Sequence, residues 1–379
     1  MKIYDKEVEN PKRLFSLDCL RALAVTLVVI CHIGLRYSTG STSIFSYFGL
    51  LGVEIFFVLS GFLIGTIILK TFNEKEDFEF KQIKSFWVRR WFRTLPNYYL
   101  VLIILIIFYS IFYYHSFMLK QLSNLSFFIF LQSAITPHPV FFPVAWSLAI
   151  EEWFYLLFPL WLLIISKFNS NKYKTLVISV LSFILIEVLL RGVIASMYTR
   201  LNFYEIFYKM VPFRLDSIAI GVLTAMIYYY HKDFWNNNKI KSFILGIGLF
   251  LASSLYFYFY IILIKNQSII TNLFTNIFFL IFLNISLAFL FPLILSLNRF
   301  KKEAIAKFII HISLISYSIY LIHYFIISGI SRLPLDNLSK MGICLFLIFV
   351  ISTIQYRFFE KPMTLVRERF SKSPLTKIK

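Results

Sequence analysis

Two ionisable side chains, Arg21 and His32, interrupt the otherwise apolar stretch Leu17–Arg36. A helix turns about 100° and rises about 1.5 Å per residue, so their eleven-residue spacing puts both on nearly one face, about 16 Å apart along the axis. Hydrocarbon solvates such groups badly, and two of them on one face of a spanning helix point to a lined path. Imidazole can take and return protons near neutral pH. A second pair, Glu151 and Glu152, sits in WSLAIEEWFYLLFP, residues 146–159. Adjacent helical positions point about 100° apart, so the two carboxylates must face different neighbours. One is expected to face a cavity with His32, where a carboxylate could set the tautomer of the ring. The other is expected to pair with a base such as Arg214 or to bond a neighbouring helix. A third set is Arg89, Arg90 and Arg93. Arg90 and Arg93 are three apart and present two planar forks on one side of a helix, a geometry that suits phosphate. Each set also has a structural reading. His32 could pack against a neighbouring helix, Arg21 could snorkel or pair with Asp18, the glutamates could form buried ion pairs, and the arginines could touch lipid headgroups.

Membrane helices must position these residues. Of 379 residues, 59% are hydrophobic, 20% aromatic and only 15% charged, with a mean hydropathy of +0.75. That composition excludes an ordinary soluble domain. Apolar runs near 17–36, 44–69, 97–115, 144–166, 174–196, 212–231, 242–264, 269–297, 311–331 and 340–359 predict an all-α polytopic bundle of about ten spans. An eleventh run, Leu122–Ala134, is short and carries Ser123, Asn124, Ser126 and Gln132, so a re-entrant or interfacial helix is expected there. With both termini cytoplasmic, 28 of the 38 Lys and Arg fall on inner segments and nine on outer ones, Arg191 and Arg214 among the nine. This is the asymmetry of the positive-inside rule. The net charge of +19 therefore reads as orientation charge next to membrane lipids, and a nucleic-acid partner is not expected. The basic segment 81–96 reads as an amphipathic helix ended by Pro96. Cys19, Cys31 and Cys344 lie in apolar runs without ligand spacing, so neither a disulfide nor a metal site is expected. One membrane domain is expected over 1–379, with a core near 15–362, cytoplasmic tails 1–14 and 363–379, and no appended soluble domain.

Further polar residues inside the runs are Glu54, Arg214, Asp216, Tyr317, Tyr320 and His323. Asp216 follows Arg214 by two, so each is expected to pair with another helix rather than with its neighbour. The tyrosines read as inter-helix hydrogen bonds, and Gly61 with Gly65 forms an edge for close helix packing.

Taken together, the segments SLDCLRALAVTLVVICHIG, GVEIFFVLSGFLIG, RRWFRTLPNYYL, WSLAIEEWFYLLFP, FRLDSIAIG, ISYSIYLIH and YRFFEKP resemble the acyltransferase type 3 family of integral membrane acyltransferases, in the family's order over about 15–362. The resemblance implies a ten-span domain in the bacterial inner membrane. It would move an acyl group, usually acetyl, from cytoplasmic acetyl-CoA to a hydroxyl of a cell-surface or lipid-linked glycan such as lipopolysaccharide O-antigen. By position, Arg21 and His32 match the family's Arg/Lys-x10-His motif and Arg90 and Arg93 its Arg-x-x-Arg motif. Glu151 matches the glutamate of the segment that begins Trp146-Ser147. Glu54 stands where the family more often has aspartate, Ala149 where serine is common, and Trp153 where glutamine is common. The implied roles are phosphate binding by Arg90 and Arg93 with Arg89, passage of the pantetheine arm past Arg21, and base catalysis by His32 oriented by Glu151. Glu54, Trp146, Ser147, Glu152, Arg214, Asp216 and His323 are further substrate-binding or structural candidates. The rival from another class is a transporter or flippase for a glycolipid or small anion, since intramembrane His, Glu and Arg also build transport pathways.

Overall fold

A computed structural model describes residues 14–38, 40, 42–74, 78–112, 125–198, 202–259 and 273–370. Residues 1–13 and 371–379 of the expected tails, Lys120, Arg200, Lys265, residues 122–124 of the short run and the ends of three expected spans lie outside the described residues. The described residues form helices and turns without a strand. In chain order the helices are α1 (Phe15–Tyr37), α2 (Thr42–Glu74), α3 (Phe80–Phe112), α4 (Ala145–Ser166), α5 (Lys172–Met197) and α6 (Leu215–Tyr230). They continue as α7 (Lys232–Asn237), α8 (Lys239–Phe257), α9 (Leu280–Ile294), α10 (Glu303–Ile330), α11 (Asn337–Gln355) and α12 (Lys361–Phe370). Among the described residues, nine helices are long and apolar enough to cross a membrane. Large apolar side chains such as Ile104, Ile107, Leu189 and Phe346 turn outward, as lipid contact requires. The protein is an integral membrane helical bundle.

The span expected near 212–231 is shorter than its apolar run. A 3-10 turn, Val211–Phe213, precedes α6, whose 16 residues reach about 24 Å against a hydrocarbon core of about 30 Å. The helix begins only after Arg214, whose backbone is non-helical and whose guanidinium is fully buried. Pro96 does not end the basic helix. Residues 80–112 form one helix with Pro96 inside it, because neighbouring helices in a membrane protein can re-satisfy the backbone groups that proline frees.

The short run has no long helix in its described part. Ser126–Ile129 is a single 3-10 turn, followed by irregular backbone whose polar groups are taken up by side chains. Tyr98 and Tyr99 donate to the carbonyls of Phe127 and Phe128 at 2.9 and 2.8 Å, and Trp153 donates to that of Phe130 at 2.9 Å. Gln132 donates to the Ala145 carbonyl at 3.1 Å. Non-helical backbone persists in an apolar bundle only when the protein satisfies it in this way.

Helix α2 runs between α1 and α6, and glycines set the spacing. A Cβ on Gly61 would fall 1.9 Å from the Ile218 carbonyl oxygen, and one on Gly221 would fall 2.2 Å from that of Val58. Gly65 continues the contact onto Ala225, and Gly52 lets α2 approach the Ala24 carbonyl of α1. The obstacles are backbone atoms, which cannot swing aside as side chains do. Gly221→Leu should therefore cost more than the about 1–3 kcal/mol typical of overpacking. Thermal unfolding of purified protein in detergent checks this, and an unchanged midpoint would contradict the tight crossing.

Candidate active site

Two adjoining cavities enter the bundle from one end. The inner one, about 130 Å³, is lined from α1, α2, α3, α4 and α10. The outer one, about 380 Å³, is lined from α1, α3, α10 and α12. Arg21, Arg93, Ser313, Leu314 and Glu360 line both, so the junction carries two guanidiniums. Arg21 lies 3.5 Å from Asp18, whose carboxylate also accepts from Ser313 at 2.6 Å. The pairing of Arg21 with Asp18 read from the sequence is thus present, and Arg21 still faces the cavities.

Arg90 lines the inner cavity. It donates to the Tyr155 hydroxyl at 2.9 Å, and its guanidinium lies 4.6 Å from the centre of that ring. Tyr155 in turn donates to Glu151 at 3.0 Å, and Ser60 donates to the same carboxylate at 2.9 Å. Arg90, Tyr155 and Glu151 thus form one chain across α3 and α4. Arg93 is exposed and lines both cavities, whereas Arg89 lines neither. The two carboxylates do face different neighbours: Glu152 accepts from Thr94 at 2.8 Å on α3 and lines neither cavity.

Three expectations change here. Arg214 pairs with neither Glu151 nor Glu152, and of the two alternatives expected for the second carboxylate the bond to a neighbouring helix, from Thr94 to Glu152, is the one present. It makes a fully buried ion pair with Glu54 of α2, and Asn284 of α9 donates to the same carboxylate at 2.8 Å. Asp216 accepts from Arg191 at 2.6 Å, so both charges of FRLDS do pair with other helices. Arg191, counted above as an outer-loop charge, lies inside α5, is fully buried, and also donates to the Phe213 carbonyl at 2.9 Å. Its position within an apolar run, four residues after Glu187, was the available signal. Glu360, which accepts from Asn97 at 2.9 Å and Ser318 at 2.6 Å, was visible only as one letter of YRFFEKP.

The third change concerns His32. It lines neither cavity, and no hydrogen bond joins it to Glu151. The inner cavity stops at Phe56, Tyr320 and Ser147. Tyr320 bonds Ser147 at 2.5 Å and donates to the Val144 carbonyl at 3.1 Å. Beyond it the rings continue, with Tyr320 5.8 Å from His323 and His323 4.9 Å from His32, centroid to centroid. His323 is fully buried, and its Nε2 lies 3.2 Å from Nδ1 of His32. Trp146 packs on Tyr208, with centroids 4.8 Å apart, and stays off the cavity. At the His32 end, Arg36 donates to Ser331 at 2.7 Å and Tyr37 to the Ile327 carbonyl at 2.8 Å, tying α1 to α10.

Two adjoining cavities lined by Arg21, Arg90 and Arg93 and a half-buried imidazole beyond Tyr320 are arranged along α1. A family model, "Acyltransferase domain", matches residues 14–356. The chain belongs to this acyltransferase family. Among curated proteins it is similar to the peptidoglycan O-acetyltransferase OatA of Listeria monocytogenes, 37% identical over 41% of this chain and 25% of that protein. It is also similar to a putative O-acetyltransferase of Staphylococcus aureus, 27% identical over 92% of this chain and 56% of that one. The O-acetyltransferase OatA of Staphylococcus aureus is 27% identical over 94% of this chain and 58% of its own length. The chain therefore spans little more than half of these staphylococcal relatives. No solved structure matches it.

The Glu54–Arg214 pair generates a stability prediction. Glu54→Leu leaves a guanidinium buried without its counter-charge, which typically costs about 3–5 kcal/mol. The variant should lose its monodisperse peak on size exclusion or unfold at a clearly lower temperature, whereas His32→Ala should do neither. Equal stability of both variants would contradict a structural role for the ion pair.

Proposed function

We propose that the protein is a membrane O-acetyltransferase that takes acetyl from acetyl-CoA at the Arg21 end of the bundle and delivers it to a glycan hydroxyl at the His32 end. The observation that carries this reading is the pair of adjoining cavities lined by Arg21, Arg90 and Arg93 and ending at Tyr320, with His32 two rings further on. The family match and the names of the relatives support acetyl transfer over transport. The basic segments gathered at the Arg21 end support a cytoplasmic assignment of that end and of both termini.

Arg21 and Arg93 present planar donors where the cavities join, which suits the phosphates of the coenzyme. Arg90 is committed to Tyr155, so its part is to hold the Tyr155–Glu151 chain as one wall of the inner cavity. In this volume the pantetheine arm of the donor lies beside Ser147 and Glu151, and its thioester end must pass Tyr320 to reach His32. His32 acts as the general base on the acceptor hydroxyl, a role that typically contributes about 10²–10⁴-fold. The acceptor is a hydroxyl of a cell-envelope glycan. The name of the Listeria relative favours the peptidoglycan class, and lipopolysaccharide O-antigen is the other class to be tested.

Purified protein in lipid nanodiscs, given acetyl-CoA and a saccharide acceptor, should release coenzyme A. His32→Ala should lower that release at least about 10²-fold, and Arg93→Ala should raise KM for acetyl-CoA about tenfold or more with a small change in kcat. Mass spectrometry of muropeptides and of lipopolysaccharide from deletion and complemented cells identifies the acceptor by the lost acetyl groups. Glycolipid translocation without coenzyme A release, unaffected by His32→Ala, would replace this reading with the transporter.

A further inference from the structure

We propose that His323 is the positioning residue for His32, orienting the ring by sharing with the Val28 carbonyl the hydrogen of the Nδ1–H tautomer, so that Nε2 carries the basic lone pair. The inference rests on the acetyl-transfer reading for its purpose, but it concerns a protonation state that can be read separately.

Backbone carbonyls accept hydrogen bonds and never donate them. Nδ1 of His323 lies 3.0 Å from the Ile319 carbonyl oxygen, one turn back in α10, so this nitrogen carries a hydrogen. In a neutral ring Nε2 is then an acceptor. Nδ1 of His32 lies 2.9 Å from the Val28 carbonyl oxygen, one turn back in α1, and 3.2 Å from Nε2 of His323. One N–H shared between these two acceptors satisfies both distances. A bare Nδ1 on His32 would set its lone pair against the carbonyl oxygen. A protonated His323 would set one N–H against another. His323 is fully buried, so water cannot take over either role without a cost of desolvation and repacking. Nε2 of His32 has no hydrogen-bond partner among the described residues, and its side chain is half-buried. Glu151, the expected orienting group, is bonded to Ser60 and Tyr155 instead.

The chemistry follows from this assignment. Nε2 of His32 takes the proton as the acceptor oxygen bonds the thioester carbonyl carbon; the carbon–sulfur bond then breaks and the thiolate leaves. The proton taken from the acceptor hydroxyl passes from Nε2 to that sulfur. While His32 is an imidazolium, its Nδ1–H still points at Nε2 of His323, and the bond becomes charge-assisted and stronger. A neutral histidine thus does what a carboxylate does in other base–orienter pairs.

The test uses the full chain in nanodiscs with 15N-labelled histidine. In the unchanged protein the signals that disappear in His32→Ala should be those of a protonated Nδ1 and a bare Nε2. In His323→Leu the Val28 carbonyl still accepts the Nδ1 hydrogen, so the tautomer should persist, but the ring loses its second acceptor and kcat should fall about 10–100-fold with KM for acetyl-CoA unchanged. His323→Gln, whose side-chain oxygen can accept the same hydrogen, should restore most of the rate. If His323→Leu does not fold, the wild-type spectrum and the glutamine variant decide. A proton on Nε2 of His32 in the unchanged protein, or full kcat in His323→Leu, would overturn the proposal. Lack of acetyl transfer by the unchanged protein would overturn the function proposed above, while the spectrum would still decide the tautomer.

Discussion

An apolar surrounding obliges every buried charge to find a partner, and the pair of Glu54 with Arg214 is where the bundle meets that obligation most fully. Both side chains are fully buried, and they join α2 to the start of α6 where Gly61 and Gly221 bring those helices into backbone contact. Asn284 and Ser217 extend the network to α9, and Asp216 with Arg191 extends it to α5. Ion pairs of this kind add little net stability over apolar packing, but leaving one partner alone is costly. Their effect is to make other arrangements of the helices unfavourable. That holds α2 in place, and α2 supplies Phe56, Phe57 and Ser60 to the inner cavity.

The charged residues then divide by what surrounds them. Arg191, Arg214, Glu54 and Asp216 are fully buried within the bundle and line neither cavity. Arg21, Arg93 and Glu360 face the cavities and keep surfaces that a polar ligand can reach. Arg90 stands between these groups, committed to Tyr155 on one side and lining the inner cavity on the other. A guanidinium held by an aromatic ring and a hydroxyl loses little further freedom when a ligand arrives, which favours a preorganised wall over a flexible one.

The inner cavity and His32 are neighbours without being continuous. Tyr320 closes the cavity through Ser147 and touches His323 on its far side.

Much of this was legible in the chain because hydrophobicity and charge act locally. The length of an apolar run dictates a span, and Arg21, His32, Arg90, Arg93 and Glu151 stand out because each interrupts or flanks such a run. Gly61 and Gly65 signalled close packing for the same reason. Helical spacing also separated Glu151 from Glu152, since about 100° per residue permits nothing else. The partners were another matter. That Arg214 meets Glu54, that Arg191 turns inward, that Pro96 leaves α3 unbroken and that His32 faces His323 rather than Glu151 all depend on how helices distant in sequence rotate against one another. By itself the sequence determined the membrane bundle and which residues could do chemistry, because those follow from solvation and helical period. Only the tertiary structure decided which of them meet, because a rotation of one helix by a single residue exchanges its entire set of neighbours.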